Sequence, residues 1–357
     1  MKCGIITFHR AVNYGAVLQA YALRQFIDSN YGVSCELIDY RCKSIEDMYT
    51  VKRNIANPKT VIKSIISGRK RKKFESFIYK NIAISQSLDK TDLADVSDNY
   101  DVIITGSDQV WGKSRVGKDE TYFLDFVSNG EKKASYAASM GSGNIDDEYV
   151  ERYRYLLQDF NFISLREHEA AATISKLLNR ETSVSIDPTL LLKRDEWEKV
   201  ASGKFKNKKY LLIYTLTESK SIIEHAKKVA KQYGLQIYNI SDSYHSVKGI
   251  KNLRYLSPED WVDAFLNASY VITNSFHGTA FSVNFGVDFN TEVSKGLEKR
   301  GTRITDLLEI LNLEDRLLNA SCVSGTINFS TVHSILDVQR QNSEAYLAKV
   351  LSTNFER

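Results

Sequence analysis

Tyr270-Val271-Ile272-Thr273-Asn274-Ser275-Phe276-His277-Gly278-Thr279-Ala280 reads as a buried-type strand, a polar loop and the opening of a helix that runs on over Ala280–Asn284. A strand feeding directly into a helix is half of a βαβ unit, which implies a parallel sheet. The backbone N–H groups of Gly278, Thr279 and Ala280 would point toward the loop, and a helix N-terminus attracts a phosphate or carboxylate. His277 beside them can donate a proton to a bound anion or hydrogen-bond it. The same grammar also suits a capping histidine with no ligand.

The pattern repeats on both sides of this stretch. Tyr210–Tyr214, Gln236–Ile240 and Leu253–Leu256 are strands, and Ser219–Tyr233 is a helix between the first two. Ser257-Pro258-Glu259-Asp260 carries a helix start: serine at the cap, proline first, acid in the first turn. Thr302–Leu311 and Thr331–Val350 follow as helices. Toward the N-terminus, Cys3–Phe8, Val33–Tyr40, Asp101–Thr105, Ala134–Ala138, Phe162–Arg166 and Val184–Asp187 are strand candidates. Val17 to Ile27, Glu148–Phe160 and Glu167–Leu178 alternate with them as helices. Two successive α/β halves predict two Rossmann-like domains with parallel sheets, facing across a cleft. The expected division is an N-terminal domain over 1–195, a C-terminal domain over 196–330 and a closing helix over 331–357. Ligands of open α/β sheets bind beyond the carboxyl ends of the strands, so the loops there are where function is sought.

The 357 residues are 43% hydrophobic and 26% charged, as expected of a folded globular chain. A net charge of +4 is too small to argue for nucleic acid. Cys3, Cys35, Cys42 and Cys322 form no CxxC pair and no metal spacing, and read as buried free thiols of a reducing compartment. The N-terminus is too short for a signal segment, and no run approaches the roughly 18 apolar residues of a membrane span. The expected location is therefore cytoplasmic. No GxGxxG, Walker, HExxH or GxSxG motif occurs, so no nucleotide cofactor or metal is expected.

Several other loops can carry chemistry. Thr105-Gly106-Ser107-Asp108-Gln109-Val110-Trp111 follows a strand: Asp108 and Gln109 offer acceptors and donors, and Trp111 a flat face for a sugar ring or a side chain for the core. Arg166 ends a strand, and a guanidinium can hold a carboxylate or phosphate in two-pronged geometry, or pair with Glu167. Arg300 and Arg303 precede a helix and can clamp an anion or form a solvated turn. Asn13 and Tyr14 stand in the first loop and can face the cleft. Arg69-Lys70-Arg71-Lys72-Lys73 lies between apolar helical stretches, as a solvated helix face or as a surface for anionic lipid.

Taken together, these motifs resemble the polysaccharide pyruvyl transferase family. The resemblance rests on Gly4–Phe8, Asn13–Tyr21, Gly106–Trp111, Ser135–Ser139, Ser164–Glu167, Asp187-Pro188-Thr189, Thr273–Gly278 and Arg303-Ile304. It spans roughly residues 3 to 312, and the number and order of the motifs carry it rather than any one of them. It implies two Rossmann-like halves similar to GT-B glycosyltransferases. It implies transfer of pyruvate from phosphoenolpyruvate to a hexose of a bacterial exopolysaccharide or capsule precursor as a cyclic ketal, without a cofactor. Family donor sites carry an Arg-x-His pattern; His277 matches the histidine, but Ser275 stands where the arginine would be. Arg166 matches a second donor-site arginine, and Arg303 is a candidate for the missing charge. Donor contacts are expected at Arg166 and at the Ser275 position from the resemblance, at Gly278 and Thr279 from the helix start, and at Arg303 as a source of the missing charge. Asn13, Tyr14, Gln109 and Trp111 are expected at the acceptor, with Asp108 as a base. The acceptor is expected to be lipid-linked at the inner face of the cytoplasmic membrane. Two other readings stay open: a GT-B glycosyltransferase using a nucleotide sugar, and a non-catalytic carbohydrate-binding protein.

Overall fold

Strand β1 (Lys2–Ile6) sits at the centre of its sheet because Cys3, Ile5 and Ile6 are wholly buried and no charged residue interrupts them. This is what a strand covered on both faces requires. The computed structural model describes residues 1–49, 58–243, 247–293, 298–318 and 325–352. The chain forms two compact units, Met1–Leu191 with Gln339–Arg357, and Leu192–Val338.

In the first unit β1 leads into helix α1 (Tyr14–Tyr31), strand β2 (Ser34–Tyr40) and helices α2 (Lys43–Met48) and α3 (Pro58–Asn81). Strand β3 (Ile84–Leu88), helix α4 (Leu93–Ser97), strand β4 (Val102–Thr105) and strand β5 (Lys133–Ser135) follow. The five strands pair in the order β3-β2-β1-β4-β5, all parallel. Helix α5 (Val150–Leu157), strand β6 (Ser164–Leu165), helix α6 (His168–Leu178) and strand β7 (Ser183–Val184) complete the run. Single parallel bridges, Ala134–Phe162 and Ala138–Leu165, join the β6–β7 pair to the β5 side.

The second unit opens with helix α7 (Arg194–Glu198) and repeats the same scheme. Strand β8 (Tyr210–Tyr214), helix α8 (Lys220–Tyr233), strands β9 (Gln236–Ile240) and β10 (Ile250–Leu253), and helix α9 (Pro258–Leu266) come first. Strand β11 (Tyr270–Thr273), helix α10 (Phe276–Phe285), strand β12 (Phe289–Thr291) and helices α11 (Glu298–Ile310) and α12 (Phe329–Ser352) follow. Its sheet order is β10-β9-β8-β11-β12, again parallel. Helix α9 starts as its sequence dictates: Ser257 accepts from Asp260 N–H while the Asp260 carboxylate accepts from Ser257 N–H.

Helices α2 and α4 and three further features differ from the reading of the sequence. Strands β3 and β12 were not predicted; Ile-Ser-Gln-Ser-Leu and Phe-Asn-Thr are short edge strands with polar residues, which blur a period-2 pattern. Strand β10 begins at Ile250 rather than Leu253, because Lys251 and Asn252 can face water at an edge. The chain returns to the first unit at Gln339, within α12, rather than ending in a separate helix. There Arg340 donates to Leu190 O, Ser343 Oγ accepts from Ile186 N–H, and Tyr346 donates to Ser135 O at 2.7 Å.

Helix α3 covers α1 through Tyr14 against Phe74 and Tyr21 against Phe77, with centroids 5.0 and 5.6 Å apart. Cys3, Cys35 and Cys42 are buried free thiols; Cys322 lies outside the described residues. Among the described residues no helix is long and apolar enough to cross a membrane.

Candidate functional site

In the second unit the site residues are built on the junction of β11 and α10. Thr273 Oγ1 donates to Tyr214 O at 2.6 Å and accepts from Ser275 N–H, which ties the ends of two neighbouring strands. Asn274 accepts from Leu216 N–H at 2.8 Å and donates to Thr217 O at 2.9 Å, holding the loop after β8 in place. Ser275 caps α10 by accepting from Gly278 N–H. A side chain at Gly278 would be driven into Thr273 Oγ1, so only glycine lets the helix approach the strand this closely. Thr279 Oγ1 donates to Ser275 O and lies 2.9 Å from Thr291 Oγ1.

Ser275, Gly278 and Thr279 are therefore buried scaffold, and their side chains are committed internally. His277, on the first turn of α10, is partly exposed, its ring edge-on to Phe276 with centroids 5.3 Å apart. Arg303, reaching from α11, places its guanidinium carbon 5.8 Å from the centroid of the same Phe276 ring. The imidazole and the guanidinium thus each lie close to the same Phe276 ring, near a helix N-terminus. That grouping puts positive potential where an anion would sit. Arg303 is not adjacent to His277 in sequence, so only the packing of α11 on α10 reveals the pair. The side chain of Arg300 lies outside the described residues.

In the first unit, Arg166 is buried at the end of β6. It donates to Asp187 Oδ2 at 2.6 Å and to Ser107 Oγ at 3.2 Å, and its Nε lies 3.5 Å from Glu167 Oε1. Burial by itself would lower the guanidinium pKa. Asp187, Glu167 and Asp108 outweigh it and hold the group charged. Asp187 in turn accepts from Thr189 N–H at 3.0 Å and Thr189 Oγ1 at 2.7 Å, so the Asp-Pro-Thr turn is the mount for Arg166. Ser139 donates to Glu167 Oε1 at 2.5 Å. Asp108 is partly exposed at φ 78°, a strained backbone for a non-glycine residue, and its carboxylate accepts from Gln109 N–H. Asn13 caps α1 through Ala16 N–H, and both Asn13 and Gln109 are partly exposed.

Two expected acceptor contacts are corrected. Trp111 is wholly buried, stacked on Phe123 and edge-on to Phe160, and donates to Tyr122 O at 3.0 Å. No face of the indole is left for a sugar ring. Tyr14 is buried against Phe74 with the ammonium of Lys70 5.1 Å from its ring, so it anchors α3. The sequence reading missed one buried constellation at the same sheet edge: Asp39 accepts from Arg10 and lies 3.0 Å from His9 Nε2, while His9 Nδ1 is 3.0 Å from Thr7 O. Its residues are 29 and 30 positions apart, and no local motif announces them.

Two five-stranded parallel sheets in the same order, with polar loops at their carboxyl edges, define a GT-B-like α/β protein. Its fold is that of a Listeria monocytogenes protein assigned as a UDP-N-acetylglucosamine 2-epimerase, at 10% identity and a TM-score of 0.52, covering 100% of this chain and 97% of that one. A second UDP-N-acetylglucosamine 2-epimerase structure matches at 9% identity and a TM-score of 0.51, over 100% and 98% of the two chains. No curated relative matches the chain. The chain belongs to the polysaccharide pyruvyl transferase family: that family's model, described as Polysaccharide pyruvyl transferase, matches residues 13–289. The match takes in Asn13, Asp108, Arg166, Ser275 and His277; Arg303 lies beyond it.

Proposed function

We propose that the protein transfers the pyruvyl group of phosphoenolpyruvate onto two hydroxyls of one hexose in a bacterial polysaccharide precursor, forming a cyclic ketal. The observation that carries this reading is that a partly exposed His277 and Arg303 both lie close to the Phe276 ring at the N-terminus of α10. Phosphoenolpyruvate brings a carboxylate and a phosphate, and these are the groups that a guanidinium and a helix N-terminus bind.

In this mechanism His277 gives a proton to the methylene carbon of the donor, leaving the adjacent carbon electrophilic. A sugar hydroxyl attacks that carbon and loses its proton to Asp108. A second hydroxyl of the same sugar then displaces phosphate and closes the ring, its proton leaving with the phosphate, while the proton on Asp108 restores the one His277 gave up. One phosphoenolpyruvate and one diol give one ketal and one inorganic phosphate, with no oxidant or cofactor consumed. Ser275 supplies no charge and serves as the cap of α10, so the cationic part passes to Arg303. Arg166, balanced by Asp187 and flanked by Glu167, acts as a fixed hydrogen-bond fork for the donor rather than a loose charge. Asn13 and Gln109 are the candidate acceptor contacts. The acceptor in this reading is lipid-linked and met at the inner face of the cytoplasmic membrane.

The test is incubation of the enzyme with phosphoenolpyruvate and a panel of glycosides, read by mass spectrometry and phosphate release. A pyruvyl ketal with equimolar phosphate is expected. Release of a nucleotide from a sugar nucleotide, with phosphoenolpyruvate untouched, refutes it and establishes a glycosyltransferase; glycoside binding without turnover of either donor refutes it in favour of a carbohydrate-binding protein. Arg303→Gln should raise KM for phosphoenolpyruvate more than it lowers kcat.

A further inference from the structure

Helix α3 divides cleanly into two faces. Phe74, Phe77 and Ile78 are buried against the unit, and Lys70 and Arg71 turn partly inward. Lys70 lies over the rings of Tyr14 and Phe74, and Arg71 donates to Glu46 O. Ile65, Arg69, Lys72, Lys73, Tyr79 and Lys80 are all exposed. At 3.6 residues per turn these six fall within a sector of roughly 120° that runs about 22 Å along the helix axis. Ser76 is the other residue of that sector, which holds no acidic residue; Glu75 lies outside it.

The sector is not simply basic. Ile65 is 43% exposed near one end and Tyr79 60% near the other, where Arg10 donates to the Tyr79 hydroxyl; Arg69, Lys72 and Lys73 lie between them and Lys80 follows Tyr79. Met48, at the end of α2, is 68% exposed, and Ser67 of α3 bonds the carbonyl of the next residue, Tyr49. Exposed apolar side chains on the same helix sector as a row of cations fit an anionic boundary with an apolar layer beneath it.

We propose that the outer face of α3 docks on an anionic phospholipid surface, with Arg69, Lys72, Lys73 and Lys80 at the lipid phosphates and Ile65 and Tyr79 at the headgroup–acyl boundary. Lys70 and Arg71, although part of the same basic run, serve the fold instead. The docking surface stands on exposure and charge and is independent of the reaction proposed above. It also deepens that proposal's account of a lipid-linked acceptor.

The test is flotation of the full chain with phosphatidylglycerol-containing vesicles against pure phosphatidylcholine vesicles, at low and physiological salt. The wild type should float with the anionic vesicles only, and less so as salt rises. Arg69→Gln/Lys72→Gln/Lys80→Gln should lower that partition about a hundredfold, at roughly tenfold or less per charge. Ile65→Asp should weaken it further. Lys227→Gln/Lys228→Gln/Lys231→Gln, which removes equal charge from exposed positions on α8, should float like the wild type. Circular dichroism checks that each variant is folded. Equal flotation with both vesicles, equal loss in the α8 variant, or binding to a nucleic acid or acidic protein with none to vesicles would overturn the proposal. Because flotation needs no turnover, loss of ketal transfer with docking intact would count against the reaction alone.

Discussion

Asp187→Asn tests how Arg166 is held. The Asp187 side chain is wholly buried and accepts from Arg166, Ser107 Oγ, Thr189 N–H and Thr189 Oγ1. Asparagine keeps the oxygen that faces Thr189 but sets an amide donor against the guanidinium and the Ser107 hydroxyl. Breaking a buried pair by altering one partner costs about 3–5 kcal/mol. The lower figure applies here, because Glu167 remains 3.5 Å from Arg166 Nε and still compensates its charge. For a unit of this size, about 3 kcal/mol lowers the melting temperature by roughly 6–12 °C. Differential scanning calorimetry, with near-ultraviolet circular dichroism to assign the transition, is the assay. Asp187→Asn/Glu167→Gln should cost more than the two single changes added together, by about 0.5–3 kcal/mol, since only Asp108 is then left to balance the cation. A shift under about 2 °C, or strict additivity in the double variant, would refute the idea that these two carboxylates share one cation.

His277→Ala should lower kcat by about 10²–10⁴-fold or more while the melting temperature stays put, as for loss of a positioned acid; wild-type-like turnover would remove the imidazole from the reaction. Gly278→Ala should cost about 1–3 kcal/mol, because its methyl group must displace Thr273, which already bonds both Tyr214 and Ser275. A neutral effect would show that the helix can back away. Ser275→Ala should remove about 1 kcal/mol by uncapping α10, measured by urea unfolding. Burial pushes the Asp39 carboxyl up, but His9 and Arg10 outweigh it and hold it well below the usual carboxylate range. A carboxyl depressed in the fold contributes stability that is complete above its unfolded pKa, about 4, and is lost as pH falls from there toward the folded value. The first unit should accordingly weaken below about pH 4, and Asp39→Asn should flatten that acid limb; an unchanged limb would place the effect elsewhere.

The sequence by itself was enough for the alternating architecture. Tyr210–Tyr214 and Tyr270–Thr273 are apolar runs buried on both faces, and Ser257-Pro258 with Asp260 satisfies its own helix start; such signals are complete within a few residues. His277 was legible for the same reason, as a histidine between a strand end and a helix start. Tertiary structure decided what each polar or aromatic side chain does. Trp111 could meet a sugar or the core, and packing against Phe123 and Phe160 settled it for the core. Arg166 could be loose or held, and Asp187, 21 residues away, holds it. Arg303 meets Phe276 only once α11 folds onto α10, and the basic run on α3 divides into inward and outward cations only once Phe74 and Phe77 choose its buried face. Burial and the contact between elements distant in sequence set the charge balance around a side chain, whereas periodicity and capping act over one turn or one pleat and can be read locally.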